Sequence, residues 1–258
     1  MKILFNKYEG TGNDFIIIDN RKGIIKHDDH KLIGFLCDRR FGIGADGLIL
    51  AEDEPGYDFR MVFFNSDGFP ATMCGNGARC ISDFVMRKIT GRRKLNFLAP
   101  DGPHTSIPEC DLINVTINDV KGIKETVHGV FLNTGVPHLV CFSNDIMKKD
   151  LIAEARPIRY SPVYGSDGTN VNMAEISDRI LHVRTYERGV EDETYSCGTG
   201  VTASAIAAVA TGRIEKPDVD IMVKGGRLNV KFILTPDGAR EIHLTGPAKF
   251  VFEGEIEI

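Results

Sequence analysis

Short apolar runs between turn residues recur along this chain, a pattern typical of β-strands. Residues 15–19 and 47–51 are two such runs. Residues 58–65 alternate between polar and apolar positions and end at the turn sequence Ser66-Asp67-Gly68. The pattern therefore predicts more strand than helix.

A hairpin is predicted in the last fifth of the chain. Residues 220–224 and 227–232 alternate between polar and apolar side chains on either side of Gly225-Gly226. Two glycines between alternating segments are typical of a two-residue hairpin turn. We therefore expect Gly225 and Gly226 to form the turn.

Helical periodicity is found in fewer places. Residues 30–39 carry apolar side chains at helical spacing, and Asp29 stands where an N-cap is expected. Residues 201–210 are almost all Ala, Val and Ile, which is typical of a helix enclosed on every side. Each sheet is therefore predicted to surround one apolar helix.

The pattern Cys-Gly-polar-Gly occurs twice, at residues 74–77 and at residues 197–200. Each copy opens a segment typical of a helix, residues 78–86 and residues 201–209. A thiol at a helix N-terminus feels the positive end of the macrodipole and the N–H groups of the first turn, which favour the thiolate. Two cysteines in matched settings indicate a pair with symmetrical roles.

The repeat extends beyond these motifs at the same spacing, 197 − 74 = 123 residues. This offset places Gly12 on Gly135 and Asn65 on Arg188. A long repeat present twice predicts two homologous lobes rather than a solenoid. The predicted fold class is α/β of the α+β kind, with two pseudo-symmetric lobes that each wrap a mixed or antiparallel sheet around a central helix.

Halving the repeat places the lobe boundary near residues 115–125. We expect the first lobe to span residues 1–118 and the second to span residues 119–249. A last strand at residues 250–258 is expected to cross back to the first lobe.

Composition narrows the class of protein further. The chain has 258 residues, 42% of them hydrophobic, and a net charge of −5, so no electrostatic footprint for nucleic acid or an anionic membrane is expected. No apolar stretch approaches the roughly 20 residues that span a bilayer, and the first residues lack the apolar core of a signal peptide. The six cysteines are scattered, so we expect free thiols and a cytoplasmic protein.

Two other motifs carry less weight. Residues 42–47 have the spacing G-x-G-x-x-G, but they follow a predicted helix and lead into a strand, the reverse of the dinucleotide-binding context. Cys74 and Cys80 lack a second ligand pair at metal-site spacing, so no metal site is predicted.

Several segments together resemble the diaminopimelate epimerase family over essentially the whole chain. They are residues 8–15, 39–47, 65–68, 73–80, 187–189 and 197–200. The resemblance implies a cofactor-independent enzyme, usually a homodimer, that interconverts LL- and meso-diaminopimelate in the synthesis of lysine and cell-wall precursors. It also implies an active site in the cleft between two pseudo-symmetric lobes.

The chemistry of such a reaction needs what the repeat supplies. Inversion at Cα requires one group to remove the proton and another to return a proton to the opposite face, and Cys74 and Cys197 are the candidates. Without an organic cofactor, negative charge builds up on the α-carboxylate. The N–H groups of Gly75, Asn76, Gly198 and Thr199 are predicted to hold that carboxylate.

The resemblance also implies roles for other residues. His138 is expected to orient the Cys74 thiol and to accept its proton. Glu187 is expected to play the same part for Cys197. Arg188 is expected to clamp the distal carboxylate through its planar fork. The amide ligands of the amino acid groups are expected to be Asn13, Asn65, Asn76 and Asn170. The remaining cysteines, Cys37, Cys80, Cys110 and Cys141, are expected to be inert.

Two departures from the family pattern concern the far end of the substrate. Val136 stands where many members have asparagine, and Gly47 stands where some have glutamine. A sister racemase acting on proline or histidine is one alternative, although proline racemases usually have histidine at the position of Asn76, and Glu187-Arg188 would have little purpose there. The other alternative is a non-enzymatic, redox-responsive binding protein whose two thiols form a disulfide.

Overall fold

The structure, a computed structural model, describes residues 2–258. Within these residues the α-helices are α1 (His30–Cys37), α2 (Gly75–Phe84), α3 (Leu151–Arg159) and α4 (Gly198–Ala210). The strands are β1 (Lys2–Gly10), β2 (Asn13–Asp19), β3 (Gly47–Glu52), β4 (Phe59–Asn65), β5 (Leu95–Ala99), β6 (Gly102–Glu109), β7 (Leu112–Ile117), β8 (Val120–Lys121), β9 (Lys124–Thr126), β10 (Gly129–Asn133), β11 (Pro137–Phe142), β12 (Asn170–Ser177), β13 (Ile180–Glu187), β14 (Asp192–Thr194), β15 (Asp218–Val223), β16 (Gly226–Thr235), β17 (Gly238–Gly246) and β18 (Lys249–Glu257).

The chain divides into two compact units. The first unit runs up to Val115 and includes Gly246–Ile258, and the second unit is Thr116–Thr245. The predicted boundary, after residue 118, lies three residues later than the observed one, after Val115. In the first unit, β18 pairs with β1 in antiparallel fashion, from Lys2 opposite Glu257 to Glu9 opposite Lys249.

The two units are built by the same succession of strand pairs. In the first unit, β1–β2 is antiparallel, β2–β3 parallel, β3–β4 antiparallel, β4–β5 parallel, and β5–β6 and β6–β7 antiparallel. In the second unit, the pairs β10–β11, β11–β12, β12–β13, β13–β15, β15–β16 and β16–β17 repeat these senses in the same order. The predicted fold class, with two homologous mixed sheets, is confirmed.

Each sheet surrounds the helix that follows the cysteine motif. In the first unit, α2 packs against β1, β2, β3 and β6, and every residue of Gly75–Phe84 is buried. In the second unit, α4 packs against β10, β11, β12, β13, β15 and β16. Its Ala, Val and Ile side chains are buried from Val201 to Val209 because sheet strands meet the helix on several sides. A π-helical turn, Val85–Thr90, continues α2.

The outer helices are capped by aspartates. Asp29 accepts from the Leu32 N–H at 3.1 Å, so the predicted cap of α1 is confirmed. The helix ends two residues before its predicted limit because the Asp38 carboxylate accepts from the N–H groups of Arg40 and Phe41, both at 2.7 Å. The pattern did not reveal α3, whose interior contains Pro157. None of the helices in residues 2–258 has the length and apolarity to cross a membrane.

The predicted hairpin forms, but its turn is displaced by one residue. Val223 pairs with Gly226, so the loop is Lys224-Gly225 and the predicted Gly225-Gly226 turn is wrong. The Gly225 N–H donates to the Tyr195 carbonyl at 2.8 Å, and Gly226 begins the next strand at φ 138°. Gly102 begins the equivalent strand of the first unit at φ 128°, so the same geometry occurs twice.

Candidate active site

The two cysteines of the repeated motif occupy equivalent backbone positions. Cys74 is the N-cap of α2 with φ −114° and ψ 119°, and Cys197 is the N-cap of α4 with φ −122° and ψ 108°. Neither cysteine side chain accepts a capping hydrogen bond from a backbone N–H group of its helix, unlike the aspartate caps of α1 and α3. Both thiols therefore lie at the positive end of a helix without capping it through the side chain.

In the first unit, Asn13 lies beside Cys74 in a fixed orientation. The Asn13 Nδ2 group donates to Asp46 Oδ2 at 2.7 Å, and a carboxylate can only accept. The Asn13 Oδ1 atom therefore faces the Cys74 Sγ atom, 3.7 Å away. Asp46 was not among the predicted site residues, yet it sets which end of the Asn13 amide meets the thiol.

Asn76 is oriented by a buried arginine on its own helix. The Arg79 guanidinium, which has no exposed surface, donates to Asn76 Oδ1 at 2.9 Å and to Thr11 Oγ1 at 3.2 Å. The Asn76 Nδ2 group then lies 3.4 Å from Asn13 Oδ1. Burial lowers the pKa of Arg79, but the guanidinium stays charged because its normal pKa is so high. Asp46, Asn13, Asn76 and Arg79 thus form one continuous chain of contacts.

Asn65 ends β4 opposite Gly47 and is exposed. A Cβ atom at position 47 would lie 2.6 Å from the Phe64 carbonyl oxygen and 2.6 Å from Phe63 Cε2. A side chain such as glutamine does not fit at this position without backbone movement. The local packing therefore accounts for glycine at position 47, where some family members have glutamine.

Strand register corrects the predicted equivalence of Asn65 and Arg188. Leu48 pairs with Phe64 in the first unit, and Val171 pairs with Tyr186 in the second. Tyr186 is therefore the equivalent of Phe64, and the residue after it, Glu187, is the equivalent of Asn65. The offset is 186 − 64 = 122 in this strand pair rather than 123, so the alignment of Asn65 on Arg188 is wrong.

In the second unit, Thr199 connects Cys197 to His138. The Thr199 Oγ1 atom lies 3.4 Å from Cys197 Sγ and 3.0 Å from His138 Nε2. The other ring nitrogen, Nδ1, lies 3.1 Å from Asn172 Nδ2. A Cβ atom at Gly200 would lie 2.5 Å from Asn172 Oδ1, so the last glycine of the motif makes room for this amide.

His138 is held neutral. Burial, followed by the positive charge of Arg188, lowers the pKa of His138 to about 3. Its ring nitrogens lie within hydrogen-bond distance of Thr199 and Asn172, both in its own unit. The geometry therefore favours an orienting role for His138 over proton acceptance, and its predicted pairing with Cys74 stays a prediction.

Asn170 connects the strand that carries His138 to the segment that carries Arg188. Its Nδ2 group donates to the Pro137 carbonyl at 2.9 Å, and its Oδ1 atom accepts from the Arg188 N–H at 2.8 Å. Glu187 is half-buried at the end of β13, directly before this amide. The predicted residues Asn170, Glu187 and Arg188 therefore lie together, while the pairing of Glu187 with Cys197 stays a prediction.

Comparisons with known proteins identify the family. The model of the family described as diaminopimelate epimerase matches residues 5–111 and residues 130–251. A diaminopimelate epimerase from Flavobacterium psychrophilum is 49% identical over 252 residues, which cover 97% of this chain and 98% of the relative. The chain belongs to the diaminopimelate epimerase family. A relative of the same name from Chlorobaculum tepidum is 38% identical, covering 96% of this chain and 99% of its own.

Solved structures extend the likeness of fold beyond the diaminopimelate epimerase family. A Bacillus anthracis phenazine biosynthesis protein of the PhzF family has a TM-score of 0.79 at 13% identity. The match covers 100% of this chain and 100% of that one. A hydroxyproline epimerase from Agrobacterium vitis, with bound trans-4-hydroxy-L-proline, has a TM-score of 0.75 at 13% identity, covering 99% of this chain and 92% of that one. At these identities the comparison shows a shared fold alone.

The other thiols of this diaminopimelate epimerase family member lie in different surroundings. Burial raises the pKa of Cys37 to about 12 and that of Cys141 to about 11, and it raises the pKa of Cys80 further. Cys110 is exposed. The three buried or half-buried thiols are therefore poor proton donors at neutral pH.

Glu191 shapes the turn that follows Glu187 and Arg188. Its backbone N–H donates to the Glu187 carbonyl at 2.8 Å, and its Oε1 atom accepts from the Gly189 N–H at 3.0 Å and from Arg159 at 2.8 Å. Burial acts to raise the pKa of Glu191, but hydrogen bonds from Gly189, Tyr160 and Arg159 outweigh it and hold the pKa at about 2, below the usual 4.5.

Glu191→Gln is expected to lower the melting temperature in a pH-dependent way. Because the folded pKa lies below the unfolded one, the carboxylate contributes stability that is fully present above about pH 4.5 and is lost as the pH falls towards 2. The difference in melting temperature between the wild type and Glu191→Gln should therefore shrink below pH 4.5. The exposed Glu253→Gln variant serves as control. A difference that stays constant from pH 7 to pH 3 contradicts this account.

Proposed function

We propose that this protein is an isomerase that interconverts LL-2,6-diaminopimelate and meso-diaminopimelate by proton transfer at Cα. The observation that carries the proposal is the placement of Cys74 and Cys197 at equivalent helix N-termini in a member of the diaminopimelate epimerase family. One thiolate removes the α-proton and the other thiol returns a proton to the opposite face. The roles exchange in the reverse direction.

The negative charge that develops during proton removal needs preorganised donors. The N–H groups of Gly75, Asn76, Gly198 and Thr199 begin the two helices and are the proposed donors to the α-carboxylate. Loss of a single donor of this kind typically lowers the rate by about 10²–10³-fold. The reaction proposed here uses side chains and backbone amides of the chain itself and no organic cofactor or metal.

Side chains around each thiol supply orientation. In the first unit, the Asn13 and Asn76 amides are held by Asp46 and Arg79 beside Cys74. In the second unit, we propose Glu187 as the proton-accepting partner of Cys197, and the contact with Thr199 supports an orienting role for His138.

Recognition of the distal end is proposed for a separate group of residues. Arg188 is the proposed clamp for the distal carboxylate because a guanidinium pairs bidentately with a carboxylate. Asn65 and Asn170 are the proposed amide ligands, and Asn170 also holds the Arg188 backbone. Val136 offers no hydrogen bond to the distal group, so that contact must come from another residue.

The family membership also supports a wider setting. We propose a cytoplasmic homodimer that acts on a small amino acid in the synthesis of lysine and peptidoglycan precursors. Size-exclusion chromatography with light scattering measures the assembly. A monomer at micromolar concentration contradicts the proposed dimer but not the proposed reaction.

Proton NMR of reduced enzyme with LL-diaminopimelate in D₂O tests the proposed reaction. We expect meso product that carries deuterium at one Cα, because the returning proton comes from a thiol that exchanges with solvent. Proline and histidine are run in parallel. Deuterium exchange with proline or histidine but not with diaminopimelate would support the proposed mechanism and contradict the proposed substrate. Exchange with none of the three amino acids contradicts the enzymatic proposal.

A further inference from the structure

A buried polar trio lies under the second cysteine helix, α4. It consists of His138, Asn172 and Thr185, whose exposed fractions are 0%, 0% and 3%. Asn172 Nδ2 lies 3.1 Å from His138 Nδ1, and Thr185 Oγ1 donates to Asn172 Oδ1 at 2.9 Å. The trio lies away from the surface, so it acts on chemistry only through other groups.

The Asn172 amide can adopt only one orientation. Its Nδ2 group also lies 3.1 Å from the Leu139 carbonyl oxygen, which can only accept. The nitrogen of the amide must therefore face Leu139 and His138, and the oxygen must face Thr185. Because an amide N–H donates to it, the Nδ1 atom of His138 is the unprotonated nitrogen of the neutral ring.

This assignment determines what the other ring nitrogen does. A neutral imidazole that lacks a proton at Nδ1 carries it at Nε2, so His138 donates to Thr199 Oγ1 at 3.0 Å. The Thr199 hydroxyl, having accepted from His138, can donate its own hydrogen to Cys197 Sγ, 3.4 Å away. A donor directed at sulfur stabilises the thiolate.

The first unit provides an internal comparison, because its equivalent trio is apolar. His138 pairs with Asn170 as Phe15 pairs with Gly47, so His138 is equivalent to Phe15.

The same pairings identify the other two positions. Asn172 pairs with Thr185 as Ile49 pairs with Phe63. Phe15 and Phe63 pack edge to face with ring centroids 5.9 Å apart. The fold therefore accepts three apolar side chains beneath the cysteine helix. Since burying polar groups costs free energy, the polar trio of the second unit needs an explanation other than packing.

We infer that Asn172 is a positioning residue, which holds His138 in its Nε2–H tautomer so that the Thr199 hydroxyl directs its hydrogen at Cys197. The tautomer follows from the contacts alone, and its consequence for catalysis rests on the proposed function. His138 acts here as a donor that orients Thr199, and the thiol proton of Cys197 goes elsewhere.

Asn172→Asp is the decisive variant. Aspartate has the same shape but its carboxylate can only accept, so it selects the Nδ1–H form of His138 or a doubly protonated ring. Two-bond proton–nitrogen NMR of ¹⁵N-labelled protein without substrate distinguishes these forms, and His138→Gln identifies the signals among the seven histidines. We expect Nε2–H in the wild type and a protonated Nδ1 in Asn172→Asp.

Two further readouts separate positioning from structural support. Alkylation of Cys197 by iodoacetamide, followed by peptide mass spectrometry, should slow in Asn172→Asp. Turnover should fall on the order of 10- to 100-fold in kcat, the effect of one hydrogen bond to a charged group, with little change in KM because Asn172 is buried. Asn133→Asp, an exposed change of equal charge in the same unit, should alter neither.

Several outcomes overturn the inference. They are an Nδ1–H tautomer in the wild type, an unchanged tautomer in Asn172→Asp, and a loss of turnover without a change of tautomer. If Asn172→Asp fails to fold, the wild-type spectrum decides together with Thr199→Val, which should keep the tautomer and still slow the alkylation of Cys197. Wild-type protein with the Nε2–H tautomer and no exchange of diaminopimelate would reject the proposed function alone.

Discussion

Cys74→Ser and Cys197→Ser are each expected to lower kcat about 10²–10⁴-fold, the usual contribution of a positioned acid or base. Serine has nearly the same shape, but its hydroxyl is a far weaker acid than a thiol, so neither the helix macrodipole nor a neighbouring donor ionises it at neutral pH. Either variant leaves one face of Cα without a proton-transfer group. Turnover of LL-diaminopimelate followed by proton NMR measures the loss.

Cys110→Ser is the matched control for these two variants. Cys110 is exposed and lies outside both cysteine motifs, so its replacement should leave kcat and KM unchanged. Near-normal turnover in Cys74→Ser or in Cys197→Ser contradicts the two-thiol mechanism. Titration of free thiols, with turnover measured in the presence and absence of reductant, separates the enzyme from a redox-responsive binding protein.

The cysteine motifs could be located from sequence because their chemistry is local. A Cys-Gly start followed by an apolar run predicts a thiol at a helix N-terminus, and α2 and α4 begin directly after Cys74 and Cys197. The duplicated fold could be predicted for a similar reason, since the repeat preserves turn residues at nearly constant spacing. The same reasoning, extended with a rigid offset, failed at Asn65 and Arg188, because only strand pairing reveals a one-residue difference.

The residues that orient the site could not be found in this way. Asp46 reaches Asn13 across 33 positions of the sequence, and Asn172 reaches His138 across 34, so both contacts depend on strand register. One signal was available nonetheless. Asn172 interrupts the apolar segment that contains Val171 and Met173, and a polar residue at a buried position implies a hydrogen-bonding partner.

Arg79 gave a similar signal, since it is a charged residue in the helix that the sheet encloses. Its guanidinium donates to the Gly75 carbonyl at 3.3 Å and to the Pro247 carbonyl at 3.2 Å, in addition to Asn76 and Thr11. One buried side chain therefore joins the start of α2 to the segment that returns to the first unit at the end of the chain. Removing it affects both stability and the orientation of Asn76.

Arg79→Met is expected to lower the free energy of unfolding by about 3 kcal/mol. Methionine matches much of the side-chain volume and avoids the cost of burying a charge. It also removes the guanidinium hydrogen bonds to the Pro247 carbonyl and to the Asn76 amide oxygen, at about 1–3 kcal/mol each. The relief of the charge offsets part of that loss. Urea-induced unfolding followed by circular dichroism measures the change.

The same variant is expected to lower kcat on the order of tenfold or more, because Asn76 loses the charged hydrogen bond that sets its orientation beside Asn13. Lys88→Met is the matched control. Lys88 pairs with Glu253 at 3.0 Å, and both side chains are largely exposed, so its loss should cost at most about 1 kcal/mol and leave turnover unchanged. If Arg79→Met were as stable and active as Lys88→Met, the buried network would have no part in holding the Cys74 half of the site. If it lost stability but kept full turnover, Arg79 would support the fold alone, because Asn76 would be oriented without it.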